Sequence, residues 1–135
     1  MGKYNFSHIE LGALTNTKNK ENNGIKGKFF LKEQLGLTGC EVSINTIAKG
    51  ESIPFLHSHK ENEETYVFLQ GSGTFYIDGQ ELAVKEGSII NVRPSGVRGL
   101  KAGSEDLLYI CVQARENSLG NYTRDDGILA KEEWS

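Results

Sequence analysis

Residues 50–71 read GESIPFLHSHKENEETYVFLQG. The second half of this stretch, Thr65 to Leu69, consists of β-branched and aromatic residues at the period of two that marks a strand. Just ahead of it, His57-Ser58-His59 sets two imidazoles two residues apart. If Phe55 to His59 is extended, that spacing puts both rings on one face, able to converge on a single point. Chain reversal through Lys60, Glu61, Asn62 and Glu63 then brings Glu64, at the head of the next strand, beside them. Two imidazoles and one carboxylate form a facial set that suits Fe(II) and leaves positions open, and Mn, Ni, Co or Zn fits the same donors. Glu63 competes with Glu64, because a small register change brings either carboxylate into reach. The plainer reading of the same residues is a surface turn carrying two exposed histidines and solvated glutamates.

Outward from this stretch, a length of 135 residues with 37% hydrophobic and 24% charged residues favours one compact domain. Sixteen glycines against two prolines point to short strands joined by tight turns, and so to an all-β protein. Strand-like runs recur at Lys28 to Leu31, Cys40 to Ala48, Thr65 to Leu69, Gly73 to Ile77, Glu81 to Val84, Ser88 to Val92 and Leu107 to Val112. Seven such runs at this spacing predict a sandwich or barrel. Asp78-Gly79 between two of them predicts a hairpin with a type I′ turn. Further turns are expected at Lys85-Glu86-Gly87 and Ala102-Gly103-Ser104. Residues 1–27 are polar and without period, which predicts a loosely ordered N-terminal arm ahead of a barrel domain over residues 28–135. The C-terminal tail from Ser118 has too much Gly, Asn and Asp for a long helix, although Ile128 to Trp134 fits one short turn.

Fifteen basic against eighteen acidic residues give a net charge of -3 with no basic cluster, which argues against nucleic acid. No apolar run approaches the roughly 20 residues needed to cross a bilayer. No apolar stretch follows Met1, so a cytoplasmic protein is expected, and the glycosylation patterns at Asn5-Phe6-Ser7 and Asn121-Tyr122-Thr123 carry no weight. Cys40 and Cys111 belong to no Cys-x-x-Cys pair and are expected as buried free thiols. Nucleophile elbows and phosphate-binding loops do not occur, and Gly71-Ser72-Gly73 lacks the glycine and helix that dinucleotide binding needs.

The segment from Gly50 to Gly71 resembles the first motif of the cupin family, through Gly50, Pro54, His57, His59, Glu64 and Gly71. The resemblance continues through Asp78-Gly79 and Gly87 to a second motif around Pro94-Ser95-Gly96, and covers roughly Glu41 to Gln113. It implies an antiparallel double-stranded β-helix, or jelly-roll barrel, with a divalent transition metal held by His57, His59 and Glu64. The spacing to Gly71 favours Glu64 over Glu63. In the family a third histidine usually follows the second motif, but this chain continues Val97-Arg98-Gly99. Counted from Pro94 the ligand position is Gly99, and counted from Gly87 it is Arg98. Neither is an ordinary metal ligand.

Arg98 at the barrel wall has the donor fork to hold the carboxylate or phosphate of a small anionic ligand, whereas a surface arginine paired with glutamate is the alternative. Tyr66 and Phe68 are in phase with Glu64 and are expected to face the same pocket. Tyr109, Cys111 and Gln113 share one face of the last strand; if it turns inward, Tyr109 and Gln113 orient a ligand and Cys111 approaches the metal. These residues lead to a metal-dependent dioxygenase or isomerase acting on a small organic molecule. The rival is a non-catalytic ligand-binding barrel with a degenerate or structural metal site, and a metal-free isomerase using His57 with Glu64 is a third reading. Exposed strands of a small open barrel predict a homodimer.

Overall fold

A computed structural model of the protein describes residues 5–22, 24–120 and 123–134. The start of the polar arm, and Asn121 and Tyr122 of the second glycosylation pattern, lie outside them. Strands β1 (Glu21–Asn22) and β2 (Ile25–Lys26) pair as a short hairpin in the arm. The barrel is built from β3 (Lys28–Phe30), β4 (Glu41–Ile47), β5 (Asn62–Gln70), β6 (Ser72–Ile77), β7 (Gln80–Lys85), β8 (Ile89–Val92), β9 (Arg98–Ala102) and β10 (Leu107–Arg115). Two antiparallel sheets result, one in the order β3-β4-β10-β5-β8 and one in the order β7-β6-β9. This is the all-β architecture that the turn-rich sequence predicts and the jelly roll that the resemblance implies.

Alternation along β5 decides what the barrel encloses. Glu64, Tyr66 and Phe68 are buried while their neighbours are less so, as a pleated strand with one face inward requires. Register then aligns inward residues of adjacent strands into rows. One row runs Lys28, Asn45, Tyr109 and Phe68, and a second runs Phe30, Ser43, Cys111, Tyr66 and Ile90. A third carries Gln113, Glu64 and Val92. At the apolar end Phe68, Phe75, Leu100, Leu107 and Tyr109 form the core, each such side chain contributing about 1.5–3 kcal/mol on burial. Ring contacts tie it together, with Tyr66 and Phe75 edge to face at 4.9 Å. The polar ends of the rows remain to build a site.

Turn chemistry fixes the smaller sheet. Asp78 and Gly79 both have positive φ, 46° and 86°, the type I′ pattern expected of this pair. Strand β9, whose RGLKA sequence lacks strand alternation, is held instead by pairing. It bonds to β6 on one side, and residues 50–57 run beside it on the other, with Ile53 N–H donating to Leu100 O (3.0 Å) and Ala102 N–H to Glu51 O (2.9 Å).

The arm is more structured than its composition suggests. A 3₁₀ helix at Leu14–Asn19 lies against β4, with Thr17 buried and its hydroxyl 3.0 Å from that of Thr46. Lys18 donates to Asp106 (2.9 Å), clamping the helix to the start of β10. Six residues at three per turn carry no 3.6-residue stripe, so the element leaves no trace in the pattern. In the tail, the short helix α2 spans Thr123–Asp126 rather than Ile128 to Trp134, where Ile128, Leu129 and Trp134 are exposed. Helix α1 (Lys32–Leu35) ends at Gly36 and links β3 to β4. Among the described residues no helix is long and apolar enough to cross a membrane.

Gly71 joins β5 to β6 with φ +89°, and a Cβ there would lie 1.9 Å from the carbonyl oxygen of Asp106. Gly71→Ala is expected to cost about 3 kcal/mol or more, from left-handed strain plus a clash with backbone. Denaturant unfolding measures it; a cost under about 1 kcal/mol would contradict this packing.

Candidate metal centre

The two histidines are placed by backbone pairing with the loop and strand that follow the second motif. His57 N–H donates to Arg98 O (3.0 Å) and Arg98 N–H returns to His57 O (2.9 Å), while His59 N–H donates to Pro94 O (2.8 Å). The segment is therefore extended at His57, and the two rings sit 5.1 Å apart between centroids, nearly perpendicular. Glu64 meets them from β5 across the barrel. His57 Nε2 is 3.5 Å from Glu64 Oε1, and His59 Nε2 is 3.3 Å from Oε2. Donor atoms of all three residues lie within 4.8 Å of one another.

Glu64 is 5% exposed, and a buried carboxylate must be met by donors or lose its charge. Tyr66 donates its hydroxyl to Oε1 (2.6 Å), the Cys111 thiol donates to Oε2 (3.5 Å), and Arg98 Nε stands 3.4 Å from Oε1. Burial pushes the acid constant up, but the long His57 contact, the Tyr66 hydroxyl and the charges of His59 and Arg98 outweigh it, holding the carboxyl at about 2. Burial, reinforced by the Glu64 charge, pushes Tyr66 and Cys111 upward, so both keep their protons and stay donors. Burial lowers His59, and the opposing pull of Glu64 does not reverse it. A neutral ring has the lone pair that a metal ligand needs.

The group fits an ion. Two donors bound to one metal at about 2.1 Å, with bond angles of roughly 90–110°, stand about 3.0–3.4 Å apart. The His59 separation of 3.3 Å falls in that span and the His57 separation of 3.5 Å lies just beyond it. His59 Nε2, the ring nitrogen that faces Glu64, is buried without a hydrogen-bond partner, a cost that coordination would remove. The histidine side chains are 35% and 26% exposed, so the group borders a cavity of about 180 Å³ that also touches Tyr66, Arg98, Tyr109 and Cys111.

Register resolves the ambiguity after the second motif. Arg98 turns inward, 1% exposed, and its Nη1 donates to Gly96 O at 2.8 Å. A Cβ on Gly99 would meet Leu56 at 2.3 Å, so the position beside the histidines belongs to Arg98. The surface-arginine reading is wrong. Arg93 is the exposed one, bonded to Glu63 at 2.6 Å. Glu63 is thereby corrected as a ligand candidate, since alternation turns it away from the histidines. Phe68 also departs from expectation. It is in phase with Glu64 but lies two rows deeper, packed on Phe75 and Tyr109 in the core rather than lining the cavity. Tyr66, Tyr109, Cys111 and Gln113 do line it, and Gln113 accepts from Asn62 (2.9 Å). Both cysteines are free thiols, Cys111 buried and Cys40 partly so.

Sequence reasoning missed Lys28, which lines the cavity from β3 and donates to Asn45 Oδ1 (2.6 Å). The signal was its alternation with Phe30, but a lysine at a strand end ordinarily reads as solvated.

The depressed Glu64 constant makes stability pH dependent. In chelator-treated protein the wild type's advantage over Glu64→Gln should be constant above about pH 5 and shrink as pH falls from 4.5 towards about 2. Unfolding midpoints across that range test it, and an unchanged difference would contradict the assigned environment.

Comparison with known proteins agrees with this geometry. The cupin-domain family model matches residues 43–113, more than half of the chain. A crystal structure of a cupin protein from Bacteroides fragilis is 33% identical, with 94% of this chain and 98% of that one covered and a TM-score of 0.81. Two more distant structures share the fold. A Cupin 2 conserved barrel domain protein from Salinispora arenicola is 16% identical over 81% of this chain and 91% of its own, with a TM-score of 0.65. An uncharacterised protein with a double-stranded β-helix domain from Klebsiella pneumoniae is 19% identical over 82% and 94%, with a TM-score of 0.63. No curated protein matches. With the family model spanning the strands that carry His57, His59, Glu64 and Arg98, the chain belongs to the cupin family.

Proposed function

We propose that the protein is a metal-dependent enzyme in which His57, His59 and Glu64 hold a divalent transition ion and the adjoining cavity takes a small organic anion. The observation that carries this reading is the convergence of two imidazoles and one buried carboxylate within 4.8 Å. Bound there, the ion would supply Lewis acidity, suited to activating oxygen or polarising an enolisable carbonyl, the chemistries of a dioxygenase and an isomerase. The chain's own residues do the rest. Tyr66 and Cys111 keep their protons and fix the Glu64 carboxylate by donating to it. Arg98, whose Nη2 is buried without a hydrogen-bond partner, offers a donor to an anion from the opposite sheet. Ile53, Leu100, Phe30 and Phe55 shield the cavity from water. At about 180 Å³ it falls below the roughly 300–1,000 Å³ of pockets for drug-sized ligands. The substrate is correspondingly small.

A ligand-binding barrel without turnover is the second reading, and one observation favours it. Arg98 brings a fixed positive charge to within 3.4 Å of Glu64, and a guanidinium both repels an incoming cation and offers it no lone pair. Elemental analysis of untagged protein separates the two. The enzyme reading expects about one transition metal per chain, falling below about a tenth in His57→Ala and Glu64→Ala while both variants stay folded. A parent protein that remains empty after reconstitution would leave the binding-module reading in place.

A further inference from the structure

Lys28 and Arg98 reach the same cavity from different sheets, Lys28 from β3 at the edge of the larger one and Arg98 from β9 in the smaller. Among the described residues no carboxylate forms an ion pair with Lys28, and Arg98 shares Glu64, 3.4 Å from its Nε, with Tyr66, Cys111 and the histidines. Lys28 donates to the uncharged Asn45 amide and stands 5.9 Å over the Phe30 ring. Arg98 is 1% exposed, donates from Nη1 to the Gly96 and Pro94 carbonyls, and leaves Nε and Nη2 buried without hydrogen bonds. Among the described residues Glu64 is the one carboxylate on the cavity wall. Lys28 and Arg98 thus set two basic side chains on a wall that carries one carboxylate. A divalent ion on the three ligands would add to the positive charge there. Basic side chains drawn partly out of water are costly to leave unpaired, and a ligand with two carboxylates meets both better than a ligand with one.

A second feature places the two cations at separate points. A cavity of about 330 Å³ lies under the N-terminal arm, and Lys28, Ile53 and Tyr109 line both it and the metal-side cavity. Lys28 therefore stands at the boundary between the two, whereas Arg98 lines only the metal-side cavity.

We infer that Lys28 is a specificity residue that binds the far carboxylate of a small dicarboxylic acid while Arg98 binds the near one. This rests on the reading above that the cavity takes an organic anion. Lys28 then selects among such anions by charge and length.

Calorimetric titration of the purified full chain, dialysed free of loose metal, tests it with length-matched pairs: malonate against propionate, succinate against butyrate, glutarate against pentanoate. One dicarboxylate should bind about tenfold or more tighter than its monocarboxylate partner. Lys28→Met should bring that ratio to within about twofold, with monocarboxylate affinity and metal content held, and Lys28→Arg should restore part of it. A Lys28→Met protein that keeps the ratio, or a wild type that binds both classes equally, would overturn the role of Lys28 and leave the anion site standing. A wild type that binds neither class would overturn both. Circular dichroism and the unfolding midpoint report separately whether each variant has kept its fold.

Discussion

A carboxylate taken out of water is the constraint around which this barrel is organised. Glu64 sits in the third row of the larger sheet, 5% exposed, and stays ionised only because donors reach it from five other residues of the chain. Tyr66 comes from the same strand, Cys111 from the neighbouring β10, Arg98 from the opposing sheet, and the histidines from the segment paired beside β9. Each requires the two sheets to close at the observed register. A slip of one residue on β5 would turn Glu64 outward and Glu63 inward, parting Glu64 from all of its donors.

Much of this was legible in the sequence, for reasons that can be named. Asp78-Gly79 declared its turn through the cost of positive φ, and β5 declared its inward face through strict alternation. The histidine pair followed from the same period of two. What escaped notice lay in pairing between distant segments. Whether Arg98 or Gly99 faces the histidines depends on the bridge between His57 and Arg98, which no local pattern encodes. Phe68 shows the complementary limit. Phase gave its face correctly, but depth along the barrel axis is set by how neighbouring strands stagger, and that put it in the core. Lys28 was lost because charge usually marks the solvent side of a strand, and here a polar row extends inward through Asn45.

The family barrel and the particulars of this chain make different contributions. Two histidines and a glutamate reproduce the donor set that the cupin resemblance implies. Arg98 in place of a further histidine replaces a neutral ligand with a permanent cation, and Lys28 adds another across the cavity. Both changes move the charge balance in one direction. On the proposed reading these changes bias the site towards anions, and an ion bound there would rely on Glu64 to offset the guanidinium nearby.

The account turns on whether His57, His59 and Glu64 act together on one ion. Pulsed electron paramagnetic resonance of protein loaded with one equivalent of Cu(II) counts the coordinated imidazoles directly. Two equivalent histidine nitrogen couplings are predicted, falling to one in His59→Ala. A spectrum with no imidazole coupling, or one unaltered by that substitution, would contradict the proposed centre.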